Sequence, residues 1–326
     1  MRVAGLTALA FTVFLGSAHV VLRAQATTDE TLPANSHTTP AWQIAAGGKM
    51  DFDVASIRPG DQSKLTPPTI DMSIEDTPIP PGGNFKADFP LTIYIEFAYK
   101  ILLTREQQQA LVAKLPEWVG SRRLVIEAKA PTTDPTKDQM RLMMQSLLAD
   151  RFKLAVHFET KDSPVLAVVL AKPGQLGPRL RPHELGLACA AKWTAPPDRT
   201  SPSVPPGGFL PSCDVFQADS GANHTILFGA RNVSLQSIAA NLGIIPPVAQ
   251  FGCPVVDQTG LEGKYDFSLN WLPDRSGSVS SAAEPIDEQG PSFDEALKDQ
   301  LGLKLKPARA SIQTLVIDHV EQPSPN

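Results

Sequence analysis

The sequence predicts an α+β protein of two related lobes, each with small, mostly antiparallel sheets packed by helices. Three observations predict it. Two stretches roughly 147 residues apart repeat one order of hydrophobic helix, polar turn and alternating strand, and self-similarity at a fixed offset is the mark of a repeated unit. Helical and strand periodicities alternate within each stretch instead of filling it. The 31 prolines cluster at 59–90 and 173–211, where they interrupt regular structure and mark loops.

From the N-terminus, Arg2, the apolar run Ala4 to Leu22 and the small-residue pattern Ala24-Gln25-Ala26 predict a secretory signal over residues 1–26. A retained anchor is the competing reading, because the run approaches the roughly 20 residues that span a bilayer. Removing the signal leaves 27 basic against 34 acidic residues, a formal charge of −7. With no basic run interleaved with aromatics, nucleic acid is excluded as a partner. No later segment is apolar enough to span a membrane, so the mature chain is not expected to insert. Residues 27–50 are polar, Thr-rich and aperiodic, and read as a flexible tether.

The first lobe covers 51–172. FDVASIRP alternates as a strand stopped by Pro59, and 60–83 is a loop rich in Pro, Asp and Thr. Leu91, Ile95, Ala98, Tyr99 and Leu102 recur at helical spacing, a short helix covers Arg105 to Lys114, and LVIEAKA is a strand. Asp138 to Asp150 is an amphipathic helix whose Met140, Met144, Leu147 and Leu148 share a face. A hairpin from Phe152 to Leu170 is expected to follow. Residues 173–222 form a Pro-rich linker loop. The second lobe, 223–322, offers a strand through Thr225 to Phe228, a helix from Ser234 to Leu242 and a strand from Tyr265 to Trp271. Its last helix is opened by the capping box Ser292/Glu295, and a second hairpin completes the lobe.

Cys189 and Cys213 bracket the linker and are the expected disulfide pair of an exported chain, worth about 3 kcal/mol through restriction of the unfolded chain. Cys253 is left over and reads as a small apolar residue, since no activating His adjoins it. No G-x-S-x-G, H-E-x-x-H, Walker loop or Cys-x-x-Cys occurs, so no catalytic, cofactor or metal signature stands out. His157 and Glu159, with Asp318, His319 and Glu321, invite a metal reading, but zinc needs three or four convergent ligands and an alternating strand turns such residues to solvent. In the polar turn Asp257 to Asp266, Gly260 and Gly263 suit positive φ while Asp257 and Thr259 suit bonds to nearby backbone, which favours a structural role over a ligand loop. Asp257, Tyr265, Asp266, His319 and the aromatic anchor Trp118 remain the candidate ligand or interaction positions.

FDVASIRP, PEWV, IEAKAP, DQMRLMMQSLLADRFKLAVHFET, PVVDQTGLEGKYDFSLNW and LGLKLKPARASIQTLVIDHVEQPSPN, in this order, closely resemble an uncharacterised secreted family expanded in soil acidobacteria and catalogued as a domain of unknown function. The resemblance covers nearly the whole mature chain and carries no reaction with it. Similar domains attached to membrane metallopeptidases of the antibiotic-sensing type imply extracytoplasmic sensing or interaction. Cys253 departs from the family, which tends to have a basic residue before PVVD. The expectation is a secreted, periplasmic or extracellular, non-catalytic module that binds an envelope protein or extracellular ligand without a cofactor. The alternative is a hydrolase of envelope or extracellular polymer with Asp257, Asp266 and His319 converging between the lobes.

Overall fold

Alternating strands and capped helices place their apolar faces around two centres. The computed structural model describes residues 39–61, 63–64, 66–184, 208–209, 213–220, 224–273 and 290–323. The expected signal, the first half of the tether, Cys189 and much of the linker lie outside these residues.

Around the first centre, β1 (Val54–Pro59), β2 (Asn84–Pro90) and β3 (Arg123–Lys129) form an antiparallel sheet in the order β1-β3-β2. Helix α2 (Leu91–Tyr99) starts directly at the end of β2, because Pro90 cannot extend the ladder but suits the residue before a helix. Helices α3 (Arg105–Val112) and α4 (Trp118–Ser121) lead back to the sheet. Helix α5 (Lys137–Arg151) opens on a capping box of Thr136 and Gln139. The face expected from the sequence is the buried one: Met140 and Leu148 are fully enclosed, as is Met144, with Leu147 beside them. Each such side chain contributes roughly 1.5–3 kcal/mol of transfer energy. They pack with Phe85, Tyr94, Ile126 and Phe152 in the first core.

Around the second, β5 (Leu180–Pro182), β6 (Gln217–Ser220), β7 (Ile226–Val233) and β9 (Tyr265–Trp271) form an antiparallel sheet in the order β5-β9-β7-β6. The segment read as a linker therefore supplies two of its strands. Helix α6 (Leu235–Leu242) is capped by Ser234, and α7 (Phe293–Leu301) by the expected Ser292/Glu295 box. Ile238, Phe267, Leu269, Leu297 and Leu301 fill this core. After α7 the chain turns at Gly302, φ 71°, against Gly177. A Cβ on Gly177 would lie 2.3 Å from the Gln300 carbonyl oxygen, so the backbones meet where no side chain fits.

Neither the hairpin expected from Phe152 to Leu170 nor the one expected after the last helix is formed. Each segment is one long strand, β4 (Ala155–Leu170) and β10 (Leu303–His319), and the two pair antiparallel along their whole length from Leu303↔Leu170 to His319↔Ala155. The short strand β8 (Val255–Asp257) adds parallel to β4. One end of this ribbon places Phe152, Leu154 and Leu315 in the first core, and the other places Leu166, Val168 and Leu303 in the second. The polar stretch Thr160–Asp162 looks like a turn because it crosses between the cores, where both of its faces meet solvent.

Within the segment read as a tether, residues 39–50 include helix α1 (Ala41–Ala45). It brings Trp42 to Lys100, whose Nζ lies 5.6 Å from the indole centroid. No helix among the described residues is long and apolar enough to cross a membrane.

Candidate functional site

The loop 71–77, acidic in sequence with Asp71, Glu75 and Asp76, is held from behind by two cations of α5. Lys137 Nζ donates to Asp71 Oδ2 and Thr77 Oγ1, both at 2.9 Å. Arg141, fully buried, donates to the carbonyl oxygens of Ser73 at 3.0 Å and Glu75 at 2.9 Å, and pairs with Asp76 and Asp138. Desolvation lowers the Lys137 ammonium to about 8 despite Asp71 beside it. On the other side of the loop, Glu75 is 4 % exposed and takes a hydrogen bond from Ser237 of α6, while its Oε1 has no partner. Burial holds this carboxyl above the usual range. The loop thus ties the first core to the second.

Next to this tie lies a cleft of about 450 Å³, within the range of small-ligand pockets. One wall is Lys100 to Thr104 with Gln107; the facing wall is Gln236, Ser237, Ala240 and Ile244 of α6 and its end; β8 and Ile312, Gln313 and Leu315 of the ribbon close it, with Trp42 at its rim. Lys100 ends α2 in the left-handed conformation, φ 54°, which turns the chain toward the Thr104/Gln107 capping box of α3. At Gly243 a Cβ would sit 3.2 Å from Val255 Cγ2, so glycine lets the end of α6 lie close to β8.

Glu96 braces the first wall from within α2. Its Oε1 accepts from Gln108 Nε2 at 2.5 Å, and the Leu103 N–H also donates to it. Burial nevertheless pushes its carboxyl up to about 7. The native state therefore holds this proton more tightly than the unfolded chain, whose value is near 4.5. Its contribution to stability is full below pH 4.5 and declines as pH rises toward 7. Glu96→Gln is expected to leave stability near pH 4 little changed and to raise it by about 3 kcal/mol at pH 8. Urea midpoints at the two pH values check this; an equal change at both would remove Glu96 as the source.

The candidate positions from the sequence do not meet. Asp257 accepts from the Thr259 N–H at 2.9 Å and hydroxyl at 2.8 Å, and Gly260 and Gly263 have positive φ, the structural arrangement of that turn. Tyr265 is buried in the second core, and Trp118 stacks on Phe152 with ring centroids 6.3 Å apart beside the first. His319 pairs with Glu321 at 2.8 Å at the far end of the ribbon. Asp257 is in register with Val168 and His319 with Ala155, which at about 3.3 Å per residue separates them by about 40 Å along the strand. Asp266 is fully buried elsewhere: it takes His183 Nδ1 at 2.6 Å, the Asn232 N–H at 3.1 Å and Arg231 Nε at 3.4 Å. The hydrolase arrangement of Asp257, Asp266 and His319 is thus not assembled.

His157 lies 2.9 Å from Asp318 and 3.3 Å from Glu159, but among the described residues no group of three His, Cys, Asp or Glu is placed to hold a metal ion. Cys213 is buried, Cys253 is a half-buried free thiol at the second core, and Cys189 lies outside the described residues.

Residues 92–320 match the family model described as Protein of unknown function (DUF3738). The chain belongs to the DUF3738 family. No curated protein matches the chain, and no solved structure does. The DUF3738 region begins inside α2 and ends beyond β10, so it takes in both ends of the ribbon and every residue lining the cleft except Trp42 and Ile74. Sequence reasoning missed the cleft because its polar residues, Gln107, Gln236 and Gln313, carry no motif. The available signal was Trp42, an isolated large aromatic in a polar stretch.

Among the described residues no carboxylate lines the cleft, and the one cation, Lys100, is already paired with Asp76 at 2.7 Å and Asp138 at 3.2 Å. Such a lining can hold and orient a ligand; it offers no carboxylate to move a proton.

Proposed function

We propose that this chain is an exported, non-catalytic binding module whose ligand occupies the cleft between the two cores. The observation that carries this reading is the lining itself, a concave site whose described residues supply amide, hydroxyl and apolar groups and no carboxylate. Export is supported by Arg2, the apolar run after it and Ala24-Gln25-Ala26, and fits the periplasmic or extracellular setting implied by the secreted relatives it resembles. In that setting a Cys189–Cys213 bond closes the Pro-rich excursion.

We also read the two cores as copies of one unit. The order strand, helix, strand, helix, long strand runs through β2-α2-β3-α5-β4, with α3 and α4 inserted, and again through β7-α6-β9-α7-β10, with a 3₁₀ turn (Val248–Phe251) and β8 inserted. The paired long strands then relate the copies about the middle of the ribbon.

A photo-crosslinking residue at Gln236, compared with one at Arg58 on the first sheet, tests the reading in the native cells. A discrete adduct from position 236 alone is expected. Turnover of any substrate by the purified chain, abolished by one side-chain change, would overturn the non-catalytic assignment.

A further inference from the structure

We propose that the cleft takes a neutral, hydroxyl-rich ligand, an oligosaccharide or the end of a glycan chain; this rests on the cleft being the binding site. Charge is the first argument. With no carboxylate among the described lining residues and Lys100 neutralised by Asp76 and Asp138, these residues offer no unpaired charge to a phosphate, a carboxylate or an amine.

Spare hydrogen-bonding capacity is the second argument. The Gln236 and Gln313 side chains are exposed and make no hydrogen bond among the described residues. Gln107 commits only its Oε1, to the Thr104 N–H at 2.8 Å, which leaves its NH₂ group free to donate. The Thr104 hydroxyl accepts from the Gln107 N–H at 3.2 Å and keeps its own proton. These groups sit on α3, α6 and β10 and face one space. An amide both donates and accepts through one planar group. A sugar hydroxyl does the same, so neighbouring hydroxyls use both halves of the Gln236 and Gln313 amides and the NH₂ of Gln107.

The apolar rim supplies the third argument. Trp42 and Ile244, the latter 42 % exposed, both line the cleft. A pyranose ring presents C–H faces between its hydroxyls, and an indole offers a broad, rigid apolar surface for such a face. An extended peptide fits less well. The outer edge of β8 offers only Val255–Asp257, too short a ladder for strand addition, where main-chain bonds supply the affinity.

The test is calorimetry and tryptophan fluorescence of the full exported chain. It is titrated with neutral oligosaccharides of glucose and of N-acetylglucosamine, with polygalacturonate oligomers as the charged control and an uncharged peptide pool as the other class. Expected is saturable binding of a neutral oligosaccharide, little changed between about 50 and 500 mM salt. Trp42→Ala and Gln236→Ala should each weaken it about tenfold, with urea midpoints at wild-type values showing that the variants fold. Neutral binding that both variants leave intact overturns the proposal. So does capture of a peptide or a charged ligand at position 236, although the cleft then stands as the binding site. Failure of all ligands together with no adduct at position 236 sinks both readings.

Discussion

Arg141→Ala is expected to cost about 3–5 kcal/mol, the largest single-residue effect in the first core. The guanidinium is fully buried, yet nearly every group around it depends on it: the carbonyls of Ser73 and Glu75 each accept one of its bonds, and Asp138 loses one of its two cations. Removal leaves two buried carbonyls unpaired and a void beside Phe97, whose ring centroid lies 5.7 Å from the Arg141 Cζ. The pair with Asp76 adds little, since that carboxylate is 60 % exposed. Arg141→Lys keeps the charge but cannot span two carbonyls and two carboxylates at once, so it should recover only part of the loss. Urea unfolding gives the global cost, and hydrogen exchange at 71–77 should rise further than at β9. A loss under about 1 kcal/mol would show that the loop does not depend on this residue.

Asp266→Ala should have a similar cost in the second core, about 3–5 kcal/mol, for a different reason. The carboxylate holds a backbone irregularity as well as charged neighbours. The register between β7 and β9 shifts between Ala230 and Val233, and Asn232 sits there at φ 58°. Asp266 Oδ1 accepts the N–H of that residue, and its two oxygens also take His183, Arg231 and, at 3.5 Å, Arg181. Non-glycine residues in this conformation persist only where surrounding contacts hold them. Asp266→Asn retains an acceptor for the N–H and should lose markedly less than Asp266→Ala. Equal losses would mean that the charge, not the bulge, sets the cost.

Much of the local structure was legible because it is written locally. The strand Tyr265–Trp271, the Ser292/Glu295 cap and the Met140–Leu148 face follow from alternation, a four-residue signature and helical spacing. The α2 stripe was read too far, to Leu102, because nothing in its composition marks Lys100 as a left-handed stop. What failed was partner choice. Lys161-Asp162-Ser163-Pro164 has the composition of a turn, and a hairpin is the nearest way to pair the strands around it. The observed partner of Pro164 is Arg309, and local periodicity contains no term for a strand that distant. The same holds for the polar tie: Arg141 occupies an ordinary helical position in sequence, and the residues it bonds in the 71–77 loop precede it by more than 60 positions. The candidate site was illegible for a related reason. Amides and one indole gain meaning only when four distant segments face one space.

The long ribbon bears on how the molecule can form at all. Every pairing between β4 and β10 closes a loop of more than 130 residues, so the chain entropy of that closure falls due before the contacts that offset it exist. Neither hydrophobic centre is self-sufficient in the meantime: the first waits for Leu315 and the second for Leu303, both supplied by the last strand of the chain. A fragment ending before α7 should therefore stay expanded and protease-sensitive at both ends, including the region of β1 to β3, whose core lacks Leu315 without it. The protein is expected to fold late, slowly and as one cooperative unit, with its C-terminal strand as the closing step.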